Sequence, residues 1–269
     1  MLQMSRAARW GLGAIVLAVL LFMYVPLFVV IVNSFNDNQI SSWPIENFSL
    51  HWWQFAANYE PIRLALLNSV VVASAAMVIA AILGTLVAFA LNRFEFFGKG
   101  TVNLLVVLPI ALPGVVTGVA FSNTYSNFLS PIGIDIGYFG LIVSHATFCI
   151  VMVFNNVFAR LKRLNPSMQE ASMDLGAGLW ETFRLVTFPQ FRSSFIAGAL
   201  LAFALSFDEV YVTIFTAPPG VDTLPLWILK EMARPNQASV VNVVATVVIL
   251  LSLIPVYISQ RLAREDDQR

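Results

Sequence analysis

The sequence predicts an all-α membrane protein with six transmembrane helices and no soluble domain of any size. Three observations carry that expectation. Hydrophobic residues make up 58% of the 269 and charged residues only 11%, with a mean hydropathy of +0.79, values that soluble domains rarely approach. Six apolar stretches each reach the roughly 20 residues needed to cross a hydrocarbon core. Charged residues fall between those stretches, with one exception in the fifth.

The first stretch, Trp10–Val32, exceeds the apolar core of a signal peptide, and no small-x-small cleavage site follows it. The loop after it, Asn33 to about Leu66, carries Trp43, Trp52, Trp53 and Tyr59, a composition suited to an interfacial anchor or a docking surface. The second stretch is Leu67–Leu91. The third, Thr101–Ser122, contains Pro109 and Pro113, which free backbone carbonyls and kink a helix. Gly114 and Gly118 in the same stretch let another helix approach closely. The fourth, Phe139–Ala159, holds His145, which with Thr147, Asn155 and Asn156 reads as polar glue between helices. Cys149, the single cysteine, has no disulfide partner in the chain, and no metal-ligand spacing is present.

The fifth stretch, Ser194–Thr216, contains Ser206-Phe207-Asp208-Glu209-Val210-Tyr211. A carboxylate at such depth costs on the order of 3 kcal/mol on insertion scales, so intramembrane acids are functional candidates by default. On a continuous helix the two acids would stand about 100° apart, so one faces a pathway and the other a neighbouring helix. The bland alternative is a hydrogen-bonded pair between helices. The candidates for a substrate path are Asp208, Glu209, Ser206, Tyr211, Pro109 and Pro113. Pro218-Pro219-Gly220 and a short apolar helix near Leu224–Leu229 read as a re-entrant piece before the sixth stretch, Val240–Ser259.

Orientation follows from the basic residues. With the N-terminus inside, all of the 15 lysines and arginines except Arg63, Lys230 and Arg234 are cytoplasmic. Both termini and the 160–193 loop are then expected on the cytoplasmic side.

That loop is the most particular segment of the chain. Ser167-x-x-Glu170 fits a capping box behind Pro166. Leu164, Met168, Ala171 and Leu175 form one apolar stripe on a short helix, and Gly176 and Gly178 break it. A second helix, from about Leu179 to Thr187, is expected to stop before Pro189. The pattern Glu170-Ala171-Ser172-x3-Gly176-x9-Val186-x-Phe188-Pro189 resembles the EAA loop of permease subunits in binding-protein-dependent ABC importers. Every interval matches, with Ser172, Val186 and Phe188 as small-for-small and apolar-for-apolar replacements.

The resemblance implies the type I ABC importer permease fold, with a cytoplasmic coupling helix between the fourth and fifth spans. The coupling residues it implies are Met168, Glu170, Ala171, Ser172, Leu175, Gly176, Ala177 and Pro189. It further implies a second, distinct permease chain, two copies of a cytosolic ABC ATPase and an extracytoplasmic binding protein, in a bacterial inner membrane. Lipid surrounds such a subunit, and no nucleic acid is expected. ATP and magnesium would belong to the ATPase. Phe97-Gly98-Lys99-Gly100-Thr101 lacks the spacing of a nucleotide loop, and the chain itself is read as no enzyme and without a cofactor.

Ala204–Val210, Thr223-Leu224-Pro225-Leu226, Ser144–Phe148 and Asn155-Asn156-Val157 are similar to the polyamine (putrescine/spermidine) branch of these permeases. Carboxylates and aromatic faces suit a linear polyammonium ion. The alternatives are another small solute (γ-aminobutyrate, an opine) or, from a different class, an ATP-independent secondary transporter. The last is disfavoured because the halves show no internal repeat. An ABC exporter half would carry long cytosolic extensions or a fused ATPase.

Overall fold

The computed structural model describes residues 5–39, 43–134, 137–234 and 237–267, the side chains of 6, 7 and 253–267 excepted. Its helices run in the order α1 (Arg6–Asn33), α2 (His51–Asn58), α3 (Glu60–Arg93), α4 (Lys99–Ala111), α5 (Gly114–Thr124), α6 (Gly137–Leu161), α7 (Ser167–Asp174), α8 (Leu179–Thr182), α9 (Phe188–Phe207), α10 (Tyr211–Thr216), α11 (Leu224–Met232) and α12 (Ala238–Asp267). Among the described residues the extended pairing is an isolated antiparallel bridge between Asn36 and Phe48.

Single apolar helices long enough to cross a membrane stand at the first, second and fourth stretches: Ala8–Asn33, α3 and α6. Glu60 in the first turn of α3 and Arg93 in its last complement the helix dipole. The sixth stretch lies in α12, and its residues 253–259 fall outside the described side chains. So do Arg6, Arg261, Arg264 and Arg269, which enter the orientation argument.

The third stretch is broken more severely than a proline kink. Leu112 is extended (φ −84°, ψ 140°), as the ring of the following proline demands. Pro113 becomes the residue preceding α5, and α4 and α5 meet at 107°.

The fifth stretch departs from expectation at both ends. The helix begins in the loop and runs Leu179–Phe207 without interruption, so the second short helix does not stop before Pro189. Pro189 lacks an N–H, and its ring crowds the carbonyl four residues back. A π-helical turn over Phe183–Thr187 absorbs this: the Phe188 N–H bonds to Phe183 O, one residue further back than in an α-helix. Gln190 Nε2 then donates to Val186 O at 2.9 Å. At the far end the helix stops at Phe207, and Asp208-Glu209-Val210 lie outside regular helix before α10. The two acids therefore do not occupy adjacent positions of one helix. Glu209 Oε1 accepts the Val212 N–H at 2.9 Å, so the side chain starts a new helix where the old one ends.

The expected capping box does not form. Pro166 precedes α7 with no side-chain cap, and the Ser167 N–H bonds instead to Asn165 Oδ1 at 3.1 Å, a competing local turn. The reciprocal glutamate contact appears one helix later, where Gly178 N–H donates to Glu181 Oε2 at 3.0 Å.

The chain divides into two compact units, residues 1–63 with 228–251, and residues 64–227 with 252–269. In the first unit α1 presents apolar side chains outward along its length. Trp52 is buried and donates from Nε1 to Asp37 O at 3.1 Å, while Trp53 stacks on Phe35 at 5.4 Å. Trp43 stays exposed. Ser239 Oγ donates to Asn38 O, and Val240, Val241, Val243 and Val244 are buried.

The second unit is built around α6, whose Leu141, His145, Cys149, Val153, Phe154 and Val157 are fully buried. Small residues bring its neighbours close. A Cβ on Gly84 of α3 would stand 2.9 Å from Ile150 O, and one on Gly198 of α9 would stand 3.0 Å from Val153 Cα. Such contacts replace hydrophobic driving force in a medium as apolar as leucine. Phe89, Phe183, Phe188 and Phe191 form an aromatic cluster at the loop end of the helices.

Candidate functional site

Two regions of the second unit hold the residues singled out by sequence. In the loop, α7 ends in a Schellman motif. The Gly176 N–H bonds to Met173 O at 2.9 Å and the Ala177 N–H to Ser172 O at 3.2 Å. The motif requires a left-handed residue, and Gly176 has φ +89°. Ser172 Oγ lies 3.1 Å from Thr182 Oγ1, so the serine that replaces an alanine of the EAA pattern ties α7 to α8. Thr182 and Thr187 are buried beneath the loop. Arg93, at the end of α3, bonds to Gln169 and lies over the ring of Phe89 at 5.8 Å. A cavity of about 280 Å³ lies between α3 and the loop, lined by Thr85, Phe89, Arg93, Met173 and Leu179 among others.

The outer face of the loop is apolar. Met168, Leu175, Leu179, Trp180 and Leu185 are exposed, Leu175 at 90%. Glu170 and Ala171 share that exposure, Ala177 is half-buried, and Pro189 is exposed beyond the π turn. Leu179 and Trp180 were not singled out by sequence, although large apolar residues in a polar loop are themselves a signal. Arg93 and Gln169 carried none, because their pairing spans 76 positions of chain, and Thr182 meets Ser172 only once the Gly176 turn has formed.

The second region is the meeting of the two broken helices. A Cβ on Gly118 of α5 would lie 2.8 Å from Phe215 Cδ2 and 3.1 Å from Tyr211 O, so α5 rests directly on α10. At Gly114, the first residue of α5, a Cβ would lie 3.5 Å from Glu209 Oε1 and 3.2 Å from Tyr211 Cβ. The Pro113 break and the Asp208–Val210 break thus adjoin. Pro113 is exposed and Pro109 half-buried within α4.

His145 spans the second break. Its Nδ1 lies 2.8 Å from Ser206 Oγ, at the end of α9, and its Nε2 lies 3.0 Å from Thr213 Oγ1, in α10. Thr213 donates its only hydroxyl hydrogen to Glu209 O at 2.8 Å, so it must accept from Nε2–H. In that tautomer Nδ1 accepts from Ser206. Ser144 Oγ adds a 3.2 Å bond to Thr216 Oγ1. Ser206 is therefore buried and committed to packing, off any open surface. Thr147 and Asn156 instead bond within their own helix, to Val143 O at 3.0 Å and Met152 O at 2.8 Å.

The two acids differ in kind. Glu209 is half-buried and holds the first turn of α10, whereas Asp208 is exposed, three residues from the exposed ring of Tyr211. What this arrangement offers is an open carboxylate and an aromatic face at a backbone break inside an apolar span. Among the described residues no cluster of metal-ligating side chains is present.

Comparisons with known proteins agree with this architecture. The chain is 32% identical over 254 residues to the spermidine/putrescine transport system permease protein PotC of Escherichia coli (strain K12), covering 94% of each. It is 31% identical over 232 residues to the putrescine transport system permease protein PotI of the same strain, covering 85% of this chain and 82% of that one. Among solved structures, the bacterial alginate ABC transporter in complex with alginate pentasaccharide-bound periplasmic protein superposes with a TM-score of 0.74 at 17% identity, over 96% of both chains. An amino acid ABC transporter with histidines gives 0.51 at 16% identity, over 77% of this chain and 97% of that one. These likenesses show the type I permease fold. Residues 80–265 match the family described as binding-protein-dependent transport system inner membrane component, and the chain belongs to that family.

Proposed function

We propose that the chain is the permease subunit of an ATP-driven importer of a polyamine of the putrescine/spermidine class. It pairs with a second, different permease, receives its load from an extracytoplasmic binding protein, and is driven by two copies of a cytosolic ATPase. That ATPase supplies the ATP and magnesium chemistry. Both termini and the α7–α8 loop face the cytoplasm, and the chain forms one membrane domain of six spans. The exposed apolar face of α7 and α8, around Leu175 and Trp180, seats on the ATPase. Closure of the ATPase dimer moves that seat and opens the substrate path outward, and hydrolysis returns it inward.

The observation that carries the polyamine reading is the exposed Asp208, three residues before the exposed Tyr211, at a break inside an apolar span. The relatives named above, at 31–32% identity, carry names for spermidine and putrescine transport. A carboxylate pairs with an ammonium group, and a tyrosine ring attracts the same cation through its face. Glu209, being committed to α10, acts by positioning.

The test is ATPase activity of the reconstituted complex with binding protein loaded with putrescine, spermidine or γ-aminobutyrate. Stimulation by a loaded polyamine binder is the expected result. Stimulation by the γ-aminobutyrate binder alone would keep the importer and remove the polyamine.

A further inference from the structure

A separate cavity of about 600 Å³ opens where α3 ends, α4 begins and α6 ends. Its polar lining is Asn92, Glu95, Lys99, Asn103 and Lys162, with Phe158 in the wall. Lys162 Nζ lies 4.3 Å from the centre of the Phe158 ring, which holds the ammonium group at the cavity. Lys99 Nζ is bonded at 2.6 Å to Glu95, whose side chain is 89% exposed. Two cations from elements far apart in sequence, with two amides, thus line one opening. Neither lysine serves the coupling loop or the helix breaks. The cavity also takes a different face of α3 from Phe89 and Arg93, which lie under the loop.

The surroundings are those of a membrane interface. Phe94, Phe96 and Phe97 are exposed at the α3–α4 turn, and Leu104 and Leu105 are exposed one turn further along α4. Apolar surface for an acyl chain therefore gives way directly to ammonium groups. Basic pockets between helices at the cytoplasmic membrane surface are suited to phosphate-bearing headgroups. We propose that this cavity binds the phosphate of an anionic phospholipid, with Lys99 and Lys162 pairing with the charge and Asn92 and Asn103 donating to its ester oxygens. The leaflet follows from the orientation proposed above; the site itself does not depend on it, nor on the substrate carried.

The experiment is lipid retention by the assembled transporter, extracted in detergent, titrated with phosphatidylglycerol or phosphatidylcholine and read by native mass spectrometry. The intact protein is expected to retain phosphatidylglycerol preferentially. The Lys99→Gln/Lys162→Gln double variant is expected to bind it roughly thirty-fold more weakly, at about 1 kcal/mol for each basic side chain near an anionic surface. Lys99→Arg/Lys162→Arg keeps the charge and is expected to keep the lipid, and Glu95→Gln is expected to tighten it. Equal retention by the intact and glutamine proteins would overturn the proposal. Displacement of the lipid by millimolar inorganic phosphate would do so too, since the site would then serve a soluble anion.

Discussion

His145 Nδ1 lies 2.8 Å from Ser206 Oγ on one side of a helix break, while the same ring reaches Thr213 on the other side. One buried imidazole thereby fixes the distance across the break. His145→Ala should leave Ser206 and Thr213 without these partners and destabilise the second unit by about 2–3 kcal/mol, combining two interhelical hydrogen bonds with lost packing. A lowered thermal midpoint of the purified complex is the expected readout. An unchanged midpoint would show that the break holds itself.

Gly176 has φ +89°, and no atom lies within 4 Å of a Cβ built there. Substitution therefore strains backbone and meets no steric obstacle. Gly176→Ala should cost about 1–2 kcal/mol in the loop, and Gly176→Val more because its β-carbon is branched. Gly176→Asn should be mildest, since asparagine tolerates the left-handed region. Uptake is expected to fall in the order Asn, Ala, Val at equal membrane levels of the protein. A different order would detach the Schellman motif from coupling.

Asp208→Asn and Glu209→Gln should separate by readout. The first is expected to reduce uptake of a cationic load at least tenfold with an unchanged thermal midpoint. The second weakens the bond to the Val212 N–H, and should lower the midpoint by the equivalent of about 1 kcal/mol, as for a lost helix cap. Equal loss of uptake without a midpoint shift in both variants would put both acids in the path.

Gly118→Val should separate α5 from α10, because even a Cβ would stand 2.8 Å from Phe215 and 3.1 Å from the Tyr211 carbonyl. Overpacking of this kind costs about 1–3 kcal/mol, and here two of the three nearest atoms, Tyr211 O and Val212 Cα, are backbone that cannot rotate away. Reduced assembly of the transporter, measured by co-purification of its subunits, is the expected outcome. Gly118→Ala should be the milder variant.

Much of the fold was legible because membrane helices declare themselves by apolar length alone. The third-stretch break was half legible: Pro113 marked the place, while the 107° turn depends on α10 being there to receive Gly118. The fifth-stretch break was hidden, since Phe207-Asp208-Glu209-Val210 reads as helix until Glu209 finds the Val212 N–H. The same holds for Pro189, which signals a stop; the π turn that carries the helix past it has no local signature. His145 was legible as polar glue, but its partners were not. Thr147 and Asn156, on its own helix, bond locally, and the ring turns to residues more than 60 positions away.

The π turn has a mechanical consequence. Because the chain does not yield at Pro189, the 29 residues from Leu179 to Phe207 form one stiff rod, about 43 Å long at 1.5 Å per residue. Its loop end carries exposed Leu179 and Trp180, and Asp208 follows directly on its other end. The two ends therefore belong to one continuous helix, with no non-helical residue between them. The rod ends where the charge begins: Asp208 and Glu209 follow it at the break that His145 spans.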